Sequence, residues 1–290
     1  MNSLPLHSLL SLDIFDTILA STNNLNNYLY RIYPKLYRIM VAAMRFFLIL
    51  PFFTILPFSC NKNVVTDACD NPEFAVVENF SVFRLMNGTI TYRAKFAIDA
   101  DGSPRAYGPN NTGLDLTEHA LNGTTWVGVV TDDDGVPIVQ KAGNPYPGLY
   151  VSQTSLIDTT YKKNDPRCYV DAEKIPYIVL PETLMIMADM KIGDIGYAYN
   201  PKTGKGAYAV FADVGPEGLL GEGSIRLAKD LGVANVSPRD GGLEGAAIQY
   251  VVFPNTSLGN GKHPTYEQIN NIGRSQMSKL GGESTVLKCF

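Results

Sequence analysis

From Phe80 onward, apolar and polar residues alternate in short runs separated by turn residues. Phe80 to Leu85 and Ile90 to Ile98 are two such runs. Asn87-Gly88 lies between them, and a tight hairpin turn favours that dipeptide because its central residues need positive φ. Asp101-Gly102 marks another turn. Trp126 to Val130, Val136 to Val139 and Leu149 to Ser152 read as strands, the first two joined through Asp132-Asp133-Asp134-Gly135. Ile175 to Leu180 reads as a buried strand despite Pro176. Ile195 to Tyr199 and Ala207 to Ala212 form a second predicted hairpin, joined through Asn200-Pro201 and Gly204, and Ile248 to Phe253 is the last strand. Two stretches have helical spacing. Ser224 to Leu231 has a capping serine, Ile225, Ala228 and Leu231 on one face, and Gly232 at its end; Tyr266 to Leu280 is interrupted by Gly273. Residues 74–290 contain no repeat, heptad or low-complexity linker. This pattern predicts one β-rich α+β domain over 74–290 with few short helices. Many short strands must hide their edges, which predicts a closed or nearly closed barrel of about six strands.

The first part of the chain is different. Phe46 to Phe58 is apolar, follows Arg45 and ends at Ser59-Cys60, the layout of an export signal and too short to span a bilayer comfortably. A cysteine at the cut followed by polar residues resembles a bacterial lipoprotein signal, with simple secretion as the alternative. The expected organisation is an upstream extension over 1–43 from a mis-called start, a signal peptide over 44–59, lipid on Cys60, and a linker over 60–73. The mature protein is then expected outside the cell or at its surface, meeting a membrane only through that lipid, and monomeric.

Chemistry narrows the picture by exclusion. A formal net charge of −4 does not suit a nucleic-acid binder, which needs a basic patch. Cys60, Cys69, Cys168 and Cys289 form no CxxC pair, and His7, His119 and His263 are scattered, so no metal and no other cofactor is expected. In an oxidising compartment Cys69 could pair with Cys289.

Two carboxylates stand out. Tyr208 to Ala212 is an apolar run that delivers Asp213 just before Gly215-Pro216. Glu222 follows nine residues after Asp213, between Gly221 and Gly223 and ahead of the Ser224 helix. The flanking glycines would let a ligand approach, and two such carboxyls suit acid/base work on a glycosidic bond. A helix entrance favours charge on Glu222 and an apolar strand favours the neutral form of Asp213, which predicts Asp213 as acid and Glu222 as base. A turn aspartate and a solvated capping acid are the plain alternative.

Several segments, in order, resemble the fungal-type chitosanases of glycoside hydrolase family 75. They are Ala94 to Gly102, Thr131-Asp132, Pro147 to Ser152, Ile175 to Pro181, Phe211 to Pro216, Gly221 to Ser224 and Val251 to Pro254, spanning roughly Phe80 to Pro254. Tyr107-Gly108-Pro109 departs from the family pattern. The resemblance implies a secreted, metal-independent endo-hydrolase that cuts the β-1,4 bonds of chitosan with inversion, its two essential carboxylates falling on Asp213 and Glu222. Asp99 and Asp101 could then meet glucosamine ammonium groups or simply form an Asp-Gly turn. Asp132 could draw in a cationic chain, and Trp126 could stack on a sugar ring or belong to the core. Arg239-Asp240-Gly241-Gly242 is a loop tip or a cleft rim. A non-catalytic surface glycan-binding lipoprotein, or a hydrolase of another polysaccharide or of a phosphodiester glycoside, remains the rival reading.

Overall fold

The computed structural model describes residues 72–289. The extension over 1–43, the signal over 44–59, Cys60 and Cys69 lie outside the described residues. Among the described residues no helix is long and apolar enough to cross a membrane.

The domain is β-rich. Its strands are β1 (Glu73–Val77), β2 (Phe80–Arg84), β3 (Ile90–Asp99), β4 (Leu121–Asn122), β5 (Thr125–Trp126), β6 (Tyr177–Pro181), β7 (Ile195–Asn200), β8 (Lys205–Gly215), β9 (Glu222–Ser224) and β10 (Leu243–Phe253). Its helices are α1 (Glu182–Met187), α2 (Ile225–Asp230), α3 (Tyr266–Lys279) and α4 (Glu283–Val286). The main sheet runs β1-β2-β3-β10-β7-β8-β6-β9, and β9 pairs back onto β3. That last pairing closes six strands, β3-β10-β7-β8-β6-β9, into a barrel, and β1-β2 extends it as a flap.

Alternation decides which side chains fill the barrel. Tyr92, Ala94, Phe96 and Ile98 of β3, Ile178 and Leu180 of β6, Ala207, Ala209 and Phe211 of β8, and Ile248, Tyr250 and Val252 of β10 share one core. A second core lies outside the barrel. Tyr177, Tyr197, Tyr208, Val210 and Val251 meet Ile269 and Met277 of α3 there, along with Val286 of α4. Gly273 is required inside α3 because a Cβ at that position would strike the Tyr208 ring. Ser224 caps α2 by accepting the Leu227 N–H at 3.1 Å, as its position predicts. Thr265 and Gln268 form a capping box on α3.

The hairpins, the helix pair and the last strand fall close to where the alternation predicts them. The middle of the chain does not. Trp126 to Val130, Val136 to Val139 and Leu149 to Ser152 form no continuous strands beyond the short β4–β5 pair. They are joined by isolated bridges, Val129 with Ser152, Thr131 with Pro137 and Val139 with Tyr150. Their apolar residues feed a small core of Val130, Val151, Cys168 and Tyr169 instead.

Asp194 ties the start of β7 to the turn that follows β10. It is fully buried, and its carboxylate accepts the backbone N–H groups of Lys191 (2.8 Å), Asn255 (3.1 Å), Thr256 (2.7 Å) and Ser257 (2.9 Å).

Candidate active site

The odd-numbered side chains of β3, Lys95, Ala97 and Asp99, point away from the barrel core, and all three line a cleft. Strand register carries this outer face across the sheet. Ala97 pairs with Glu222, Glu222 with Val179, and Val179 with Asp213, so one row crosses β3, β9, β6 and β8. Glu222 and Asp213 therefore flank β6 on the same face, two strand spacings apart, which is about 9.5 Å between their Cα atoms.

Two local features produce this alignment. In β8 the register steps from Ile178–Phe211 to Val179–Asp213, leaving Ala212 as the extra residue of a bulge. Phe211 faces the barrel core. Strict alternation would place Asp213 there too, and the bulge turns it outward. In β9, Gly221 has φ of 90° and its carbonyl accepts the Ala97 N–H at 2.8 Å; a Cβ on Gly221 would strike the Lys95 carbonyl. A Cβ on Gly223 would lie 2.8 Å from the Tyr177 carbonyl oxygen. The glycines beside Glu222 thus let β9 wedge between β3 and β6, a role in barrel closure.

Asp213 is held by one oxygen. Its Oδ1 accepts the Ser155 hydroxyl at 2.6 Å, the Ser155 N–H at 2.9 Å and its neighbour's Val214 N–H at 2.9 Å. Asp99 accepts the Asp101 N–H at 2.7 Å, so the Asp-Gly turn and the cleft position coexist. The Asp101 Oδ1 is buried and has no partner among the described residues. Carboxylate oxygens of Asp99, Asp101 and Asp213 lie within 4.8 Å of one another, close enough to share a proton or a divalent cation. No metal-spaced set was legible in the sequence, because these three residues come from segments more than a hundred positions apart.

Such crowding favours protonation. Burial, then the Asp213 charge, pushes Asp99 up to about 7. Burial, then the charges of Asp99 and Asp213, raises Asp101 well above the carboxylate range. Glu222 is likewise raised well above it by burial and by Asp99 and Asp213, against a smaller opposing pull from Lys95. Burial lifts Asp213 to about 6, and the Ser155 and Val214 donors restrain that rise. Burial thus favours the protonated form of Glu222 as well as of Asp213, where the sequence predicted charge on Glu222. The physical reason is that burial and the Asp99 and Asp213 charges act on Glu222, which lies in β9 two residues ahead of the Ser224 cap.

The cleft measures about 770 Å³. The β4–β5 turn, the Gln153–Ser155 stretch and the Pro238–Gly241 loop form its walls, placing the Arg239 loop at the rim. Two expected substrate contacts are not there. Asp132 accepts the N–H groups of Asp134 (3.1 Å) and Val136 (2.9 Å) in an exposed turn away from the cleft. Trp126 packs edge-on against Tyr150 at 5.9 Å and against the main core, and its neighbour Val127 lines the cleft instead. Conversely, Ser155, Asp115 and His119 reach the cleft without having been singled out by any motif, and Lys95 and Tyr107 line it as well. No protein-family model and no curated protein matches the chain.

Proposed function

We propose that the protein is an endo-acting glycoside hydrolase that cleaves β-1,4 bonds of a chitosan-type amino-sugar polymer with inversion, acting outside the cell. The observation that carries this is the pairing of Asp213 and Glu222 in register on either side of β6. Cα atoms about 9.5 Å apart on one face are compatible with a sugar ring and one water between the two side chains. Inversion needs about 6.5–9.5 Å between the carboxyl groups themselves and retention about 5–5.5 Å, and the proposal commits to the wider spacing.

The roles follow from electrostatics. Glu222, protonated, gives its proton to the glycosidic oxygen as the C–O bond breaks. Asp213, ionised and held through Oδ1, offers Oδ2 to a water that attacks the anomeric carbon from the opposite face, and takes that water's proton. Asp99 and Asp101 place carboxyl oxygens beside the row, and an ammonium group of the substrate bound there would favour their ionised form. The chain's resemblance to family 75 chitosanases points the same way. Reducing-end release from soluble chitosan, set beside chitin, cellulose and peptidoglycan, tests the reading. Release from chitosan above the other polymers is expected, and none from chitosan sinks it.

The pH dependence follows. The kcat/KM should rise with pH as Asp213 loses its proton near pH 6, and fall only well above the ordinary carboxylate range, where Glu222 loses its own. Ser155→Ala removes the 2.6 Å hydroxyl donor, which favours the ionised form. The rising limb should move to higher pH by about one unit, the worth of one hydrogen bond to a charged group. A pH profile of the variant with an unmoved limb counts against Asp213 as base.

A further inference from the structure

The cleft holds a second, separate polar constellation. His119 lines the cleft with its side chain 41% exposed, and its Nδ1 lies 2.8 Å from Oδ1 of Asp115, which is only 3% exposed. The same Oδ1 accepts the Leu116 N–H at 2.7 Å. Because an ionised carboxylate only accepts, Nδ1 carries the hydrogen, and the Nε2 edge is left for a ligand.

The loop that carries this pair is braced. The Arg239 guanidinium donates to the backbone carbonyls of Asn111 (2.7 Å), Gly113 (2.7 Å) and Leu114 (3.1 Å), tying it to the opposite rim. Asn111 Oδ1 in turn accepts both the N–H and the hydroxyl of Thr117 at 2.8 Å. Asp115 lies near enough to Asp99 and Glu222 for its charge to raise both. A buried carboxylate that fixes a half-exposed imidazole, on a loop braced from across the cleft, is the construction of a preorganised binding contact.

We propose that His119, oriented by Asp115 and braced through Arg239, is a recognition residue that hydrogen-bonds a hydroxyl or amine of a sugar unit flanking the cleaved bond. This rests on the glycosidase reading. Its effect belongs to binding, since His119 is not in the Asp213–Glu222 row.

The test is steady-state kinetics of His119→Ala on the glucosamine hexamer, paired with calorimetric binding of the hexamer to Glu222→Gln with and without His119→Ala. KM and Kd should both rise about three- to tenfold, the worth of one such hydrogen bond, with kcat within about twofold of the parent. Arg239→Ala, which frees the loop, should raise KM in the same direction. Unchanged KM and Kd in His119→Ala overturn the inference while leaving the glycosidase reading intact. So does a hundredfold loss of kcat at unchanged KM, which would put His119 in the chemistry. A parent protein that neither cuts nor binds the hexamer overturns both.

Discussion

Glu222→Gln is expected to fold as the parent does and to lose turnover on chitosan by about 10²–10⁴-fold. The amide has the shape of the acid but holds no transferable proton, so the leaving oxygen must depart as an alkoxide. Folding should be spared because burial and neighbouring negative charge favour the protonated Glu222, and the amide is as neutral as that acid. Asp213→Asn should lose activity to a similar degree for a different reason. An amide oxygen at the same position still accepts the Ser155 and Val214 donors but cannot take a proton from water. Substrate binding measured by calorimetry should be nearly unchanged in Glu222→Gln, which separates lost chemistry from lost affinity. A folded Glu222→Gln that turns over at the parent rate removes Glu222 from the mechanism.

Asp194→Ala should produce the largest loss of stability of any single change outside the barrel core, about 3–5 kcal/mol. The substitution strips a buried acceptor from four backbone N–H groups at once. Each orphaned donor costs about 1–3 kcal/mol, and partial rehydration recovers part of the total. At about 2–4 °C per kcal/mol for a domain of this size, a thermal melt should drop by roughly 6–20 °C. Asp194→Asn keeps one acceptor oxygen and should fall between the two. The cluster joins the start of β7 to the end of β10, and the Asp194 carbonyl accepts the Phe211 N–H at 2.7 Å, two residues from Asp213, so Asp194→Ala protein that remains folded in the cold should still cut chitosan, at a reduced rate. A melt within a degree of the parent's would show that these bonds do not hold the loop.

What could be read from the sequence follows the physics of local signals. Asn87-Gly88, the alternation in β3 and the Ser224 cap are encoded within a few residues, so the hairpin, the strand's two faces and α2 were predictable. The barrel followed from the number of strands whose edges must be hidden. The Ala212 bulge was not predictable, because nothing in Phe211-Ala212-Asp213 shows that the register with β6 slips there. That slip is what brings Asp213 outward and level with Glu222. β9 is not legible either: Glu222-Gly223-Ser224 reads as a helix entrance, and only the gap between β3 and β6 makes these three residues a strand. The acid/base assignment drawn from the sequence rests on a helix entrance at Glu222, and the chain has a strand there. For Asp132 and Trp126 residue type allows a substrate contact as well as a turn or a core position, and the structure has Asp132 in an exposed turn and Trp126 packed against the core. Ser155, Asp115 and His119 reach the cleft through loops whose course no periodicity encodes.

The central claim is that Asp213 and Glu222, level across β6, leave room for a water between sugar and base. Proton NMR of the first product formed from a β-linked glucosamine oligomer tests it most directly. The α-anomer should accumulate first and mutarotate to the equilibrium mixture afterwards. The β-anomer appearing first would mean retention through a covalent intermediate, and with it carboxyls too close for the row described here.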